Sequence, residues 1–307
     1  MPLNPRIAAA LRAAQSLPSY ESLPIEAARA QVKRGYPARV PPIAVGAVTD
    51  RSIPGPAGEL PVRIYAPEGN GPWPLVMFFH GSGFVLLDLD SHDDICRRLC
   101  RGTRAVVVSV DYRLAPEHPF PAAPDDCFAA TEWAAANAAS LGADANRIGV
   151  AGDSAGACLA IATALRWPDA HRAPLAAQLL FYPVTDHYSS AHESHSMFAE
   201  GFGLSSHGMR WFWDLYLPSA SAVEAASPLR AASFAGLPAT CVMVAECDVL
   251  RDEGELFAKR LSEVGVPVEL TRWDGLNHGF LKWIEEIDTV TRAFDSACIW
   301  LRKQLDA

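Results

Sequence analysis

Arg147-Ile148-Gly149-Val150-Ala151-Gly152-Asp153-Ser154-Ala155-Gly156 is the stretch on which the fold turns. Its first half, Arg147–Ala151, is a short apolar run of strand length. Its second half reads G-x-S-x-G, and an alanine-rich stretch of helical character follows to about Leu165. A strand that passes directly into a helix must turn so tightly that only glycines can flank the central serine. The serine hydroxyl then projects from the top of the sheet, beside the free N–H groups and positive end of the helix.

The rhythm continues on both sides. Leu75–Phe79, Ala105–Val110, Ala176–Tyr182 and Thr240–Ala245 read as strands, and Val266–Trp273 reads as the last one. Helical sequence is expected near 91–102 and 123–139, over Glu253–Val264 with a stop at Gly265, and over 286–304. Upstream, Ile43–Thr49 and Leu60–Ala66 read as an antiparallel pair around the turn-rich 54–58. Residues 1–40 look helical and amphipathic. This alternation predicts an α/β class: a mostly parallel sheet with helices on both faces. Residues 186–226 break the rhythm. They hold no strand but carry Phe198, Phe202, Met209, Trp211, Phe212, Trp213 and Tyr216. Such a helical, aromatic insertion is either core filling or a lid, and one face can serve each purpose.

Bulk properties narrow the class. The 307 residues carry a formal net charge of −9, which argues against a general nucleic-acid binder. The seven cysteines form no C-x-x-C pair and read as free, mostly buried thiols in a reducing compartment. The N-terminus lacks the long apolar core of a secretory signal, and no run approaches a membrane span, so a soluble, cytoplasmic protein with no membrane partner is expected.

A serine hydroxyl is a weak nucleophile and needs a base. The nine histidines are His80, His92, His118, His171, His187, His192, His195, His207 and His278. In a sheet of this kind the base follows the last strand, which selects His278, the sole histidine beyond 207. The acid that orients it should follow an earlier strand, between serine and histidine in sequence. Asp248 and Asp252 compete. Asp252 precedes a helix and suits a capping role, so Asp248 takes the catalytic one. An oxyanion needs preorganised donors. Small residues in His80-Gly81-Ser82-Gly83-Phe84, directly after Leu75–Phe79, let backbone N–H groups approach a substrate, and Ala155 N–H would complete the set. His80 reads as a loop anchor rather than a proton carrier.

Together with Asp111-Tyr-Arg-Leu-Ala-Pro-Glu117, Tyr182-Pro183, Asp248-Val-Leu-Arg-Asp-Glu-Gly254 and His278-Gly-Phe280, these motifs resemble the hormone-sensitive-lipase family of carboxylesterases, the bacterial family IV group. The matching stretches run through nearly the whole chain. The resemblance implies an α/β-hydrolase fold with 1–45 as the N-terminal part of a cap, 46–185 and 227–307 as core, and 186–226 as a cap insertion. It implies cofactor-free and metal-free hydrolysis of short-to-medium acyl esters, a small-molecule ester as partner, and a serine esterase triad of Ser154, Asp248 and His278. It assigns the oxyanion hole to the N–H groups of Ser82, Gly83 and Ala155, and the acyl pocket to Leu204, Met209 and Phe212. Relatives of this group are often homodimers, although no motif here specifies one. The chain departs from the group at Ser82, where the usual H-G-G-G has glycine, at Ala157-Cys158, where Gly-Asn is common, and at Val249, where proline is usual. Two other readings stay open: a small-molecule receptor on the same fold, disfavoured by His278, and a hydrolase of amides, lactones or thioesters.

Overall fold

The structure is a computed structural model and describes residues 2–170 and 173–307; His171 lies outside the described residues. Its strands are β1 (Ala47–Gly55), β2 (Gly58–Ala66), β3 (Trp73–Phe79), β4 (Val106–Val110), β5 (Ala143–Asp153), β6 (Ala177–Phe181), β7 (Ala239–Cys247) and β8 (Val268–Asn277). They form one sheet in the order β1-β2-β4-β3-β5-β6-β7-β8. β1 and β2 run antiparallel to each other, β2 runs antiparallel to β4, and every later pairing is parallel.

The helices are α1 (Pro5–Ala14), α2 (Ile25–Lys33), α3 (Asp93–Thr103), α4 (Ala122–Ala136), α5 (Ala155–Ala170), α6 (Glu193–Met197), α7 (Ser206–Tyr216), α8 (Val223–Ala226), α9 (Arg251–Glu263) and α10 (Asp288–Leu305). The sheet separates two apolar cores. On β3, Leu75, Met77 and Phe79 face a core completed by α4, α5 and α9. Val76 and Phe78 face the other, completed by α3 and α10. Both faces of β3 are covered, so its run is apolar throughout instead of alternating.

Three strands differ most from the sequence expectation, and the first is β5, which begins at Ala143 instead of Arg147 because Asp144–Arg147 are mostly polar and partly exposed. β1 begins at Ala47 and runs through Pro54-Gly55, so the turn into β2 shrinks to Pro56-Ala57. Eight of its nine residues are exposed or half-buried, all but Ile53, and an exposed edge strand gives little apolar signal. Register comes instead from the cross-strand pair Asp50 and Arg63, joined by an ion pair at 2.6 Å. β8 begins at Val268 and runs on through Gly275 to Asn277, after a register shift against β7 near Cys247. That extension delivers His278 directly from the strand end. No strand lies among residues 186–226, as expected. All seven cysteines are buried and free, and no described helix is long and apolar enough to cross a membrane.

Candidate active site

The turn between β5 and α5 consists of Ser154 alone, held at φ +54°. Its N–H donates to Phe181 O at 2.9 Å on β6. The flanking glycines are there for space. A side chain on Gly156 would overlap the carbonyl of Phe79, and one on Gly152 would overlap the Gly156 backbone. β3 and α5 therefore cross at a separation only glycine tolerates.

His278 reaches this turn from the end of β8, and its Nε2 lies 2.8 Å from Ser154 Oγ. Its Nδ1 lies 2.8 Å from Asp248 Oδ2, just past the end of β7. The second carboxylate oxygen of Asp248 accepts the Leu250 N–H at 2.9 Å, which fixes the group's orientation. Tyr182 meets the imidazole edge-on, with ring centroids 4.9 Å apart. Serine, histidine and aspartate thus form one unbroken hydrogen-bonded chain. Asp252 is engaged elsewhere, although not as a helix cap. It lies inside the first turn of α9, where its carboxylate accepts Ser194 N–H at 2.7 Å and ion-pairs with Arg251. It therefore ties the 186–226 segment to α9.

Beside Ser154, the N–H groups of Ser82, Gly83 and Ala155 find no acceptor among the described residues. Two of them sit on a loop that Asp153 pins down. The buried Asp153 carboxylate accepts Gly81 N–H at 2.9 Å, lies 3.2 Å from His92 Nε2, and accepts the Tyr182 hydroxyl at 3.4 Å. Burial by itself would raise its pKa, but His92, His80 and the Gly81 N–H together hold it below the usual carboxylate value. Burial, with His92 beside it, pushes His80 down to about 4. His80 is therefore neutral, with Nδ1 2.9 Å from Gly81 O and its ring stacked on Tyr112. It anchors the loop.

Leu204, Met209 and Phe212 all line the same pocket as Ser154 and His278, a space of about 360 Å³. The Phe212 ring rests against Gly83 so closely that any side chain there would collide with it. Further lining comes from Leu11, Leu17, Tyr20 and Tyr36, and from Lys282 one turn past His278. None of these belongs to a motif, and Leu11, Leu17, Tyr20 and Tyr36 reach the site only through long-range packing. Tyr20 bridges the two helical segments through an edge-on contact with Trp211 and a tilted one with Phe212.

The α/β-hydrolase fold family matches residues 76–282. The chain belongs to the α/β-hydrolase family. Within it, this hydrolase is 45% identical over 243 residues to "Carboxylic ester hydrolase LipN" of Mycobacterium tuberculosis, spanning 76% of the chain and 64% of that relative's length. It is 40% identical over 265 residues to "Esterase LipI" of the same organism, with 83% and 81% covered. A solved α/β hydrolase enzyme from the metagenome of Lake Arreo superposes with a TM-score of 0.93 at 38% identity, covering 99% of both chains. The resemblance of this α/β hydrolase to the hormone-sensitive-lipase group holds.

Proposed function

We propose that this α/β hydrolase is a carboxylic ester hydrolase acting on short-to-medium acyl esters through an acyl-enzyme on Ser154. One observation carries the reading: the 2.8 Å and 2.8 Å contacts that join Ser154 Oγ, His278 and Asp248, set beside three N–H groups with no acceptor among the described residues. Relatives named as ester hydrolases support the substrate class.

In this mechanism Ser154 Oγ attacks the ester carbonyl carbon and its proton passes to His278 Nε2. The carbonyl oxygen becomes an oxyanion, held by the N–H groups of Ser82, Gly83 and Ala155. When the carbon–alkoxy bond breaks, His278 returns the proton to the departing alcohol, leaving the acyl group on Ser154. Water then attacks the acyl carbon, gives its proton to His278, and the serine leaves with that proton as the free acid forms. Asp248 holds the imidazole with Nε2 free to accept.

A pocket of about 360 Å³ lies near the small end of ligand sites, which favours compact acyl groups. The N-terminal helices and the 186–226 segment act as its cap, with Leu204, Met209 and Phe212 against the acyl chain. A series of p-nitrophenyl esters from C2 to C12 tests this. The expected optimum lies at or below about C6–C8 for a site of this size. An optimum at C12 overturns the short-acyl reading, and no turnover of any member overturns ester hydrolysis.

A further inference from the structure

The oxyanion loop contains a residue that its local geometry disfavours. Ser82 has φ +93°, a left-handed conformation that suits glycine and strains any residue with a Cβ. The strain is locked in. Ser82 O accepts the N–H groups of both Val85 and Leu86, at 3.3 and 3.1 Å, and the preceding Gly81 N–H is held by Asp153. Glycine would adopt this conformation without the cost. A side chain kept in a strained position beside reacting groups points to a function for that side chain.

The Ser82 hydroxyl has no hydrogen-bond partner among the described residues, so it does not stabilise its own loop. Ser82 lines the pocket that also holds Ser154 and His278. Its backbone N–H is equally without an acceptor. A serine hydroxyl is three bonds from its own backbone nitrogen, so both donors can converge on one oxygen. We infer that the Ser82 hydroxyl is a further oxyanion donor, closing on the substrate carbonyl oxygen alongside its own N–H as negative charge develops there. This rests on the ester-hydrolase reading above. A donor that finds its acceptor only when that charge appears contributes to kcat more than to substrate affinity.

The test compares wild type with Ser82→Ala and Ser82→Gly. It measures kcat and KM on p-nitrophenyl acetate, the inhibition constant of an aryl trifluoromethyl ketone, and Tm. The ketone's adduct with the nucleophilic serine carries an oxyanion in the tetrahedral geometry. Loss of one hydrogen bond to a charged oxygen predicts a kcat reduced by about 10- to 100-fold in both variants. The ketone should weaken by a similar factor, with KM changed by less than about threefold. Ser82→Gly, freed of strain, should match or exceed the wild-type Tm. Either folded variant keeping both kcat and ketone inhibition within about twofold of wild type overturns the inference. Loss in Ser82→Ala with none in Ser82→Gly also overturns it, because both variants lack the hydroxyl and a donor acting on the oxyanion would be missed in each. If wild type neither turns over the ester nor binds the ketone, the ester-hydrolase reading falls as well.

Discussion

The groups at the centre of the site differ in how far the sequence revealed them, and the differences follow range of interaction. Ser154 was legible because the features that single it out are its immediate neighbours: an apolar strand before, a helix after, and two glycines that nothing larger could replace. His278 was legible by its place in the chain, and Asp248 by a choice against Asp252. Asp248 is the one of the two that contacts His278, but the reason for setting Asp252 aside does not hold, since Asp252 holds Ser194 instead of capping α9. Asp153 fills only an x position of the G-x-S-x-G pattern. Its part in pinning the His80–Phe84 loop depends on Gly81, His92 and Tyr182, which no local pattern brings together. A direct test at this scale is Asp248→Asn. The amide can present an N–H to His278 Nδ1 and favour the wrong tautomer, so kcat should fall by about 10³- to 10⁴-fold with KM little changed, as steady-state kinetics would show.

Buried strands were read well and edge strands less well. β3, β4, β6 and β7 are covered on both faces, so their sequences are apolar runs with clear ends, whereas β5 opens on the mostly polar, partly exposed Asp144–Arg147 and only its second half was read. β1 is mostly exposed and was placed several residues too early. β8 alternates and bends past Gly275, so its end at Asn277 could not be seen in composition. The attachment of α2 was also invisible. Arg29 forms a two-point ion pair with Glu117, at 2.8 and 2.7 Å, and donates to Val85 O and Ala115 O. These contacts join the N-terminal segment to Val85, just past the His80–Phe84 loop, and to the Asp111–Glu117 motif. Arg29→Ala strips donors from two part-buried carbonyls and should cost about 1–3 kcal/mol in denaturant unfolding. It should also raise KM more than it lowers kcat, because α2 carries Val32, which lines the pocket. An unchanged KM would separate α2 from substrate binding.

Across the whole molecule, the two-faced core and the mostly parallel sheet follow from alternation, whereas the strand order and the pocket's composition do not. Its walls come from α1, α2, the oxyanion loop, α7 and the end of β8, segments far apart in sequence that only the folded chain assembles. One group makes a separable contribution to the pH dependence of stability. Asp111 is pushed up to about 6 from 3.8, first by burial and then by Asp88 and Asp90. Because its folded pKa lies above the unfolded one, its cost to the fold is absent below 3.8 and complete above about 6. Asp111→Asn should therefore raise Tm by a few degrees at pH 8 and leave it nearly unchanged at pH 3.5, as read by calorimetry. Equal shifts at both pH values would show that charge is not the cause.

The expectations about catalysis depend on Ser154 being the group that attacks the substrate. The most direct measurement is kcat/KM for p-nitrophenyl butyrate with purified Ser154→Ala beside wild type, with Tm recorded for both. The account predicts a loss of about 10⁴-fold or more with the fold retained. A folded Ser154→Ala variant that keeps activity within about tenfold of wild type would contradict it.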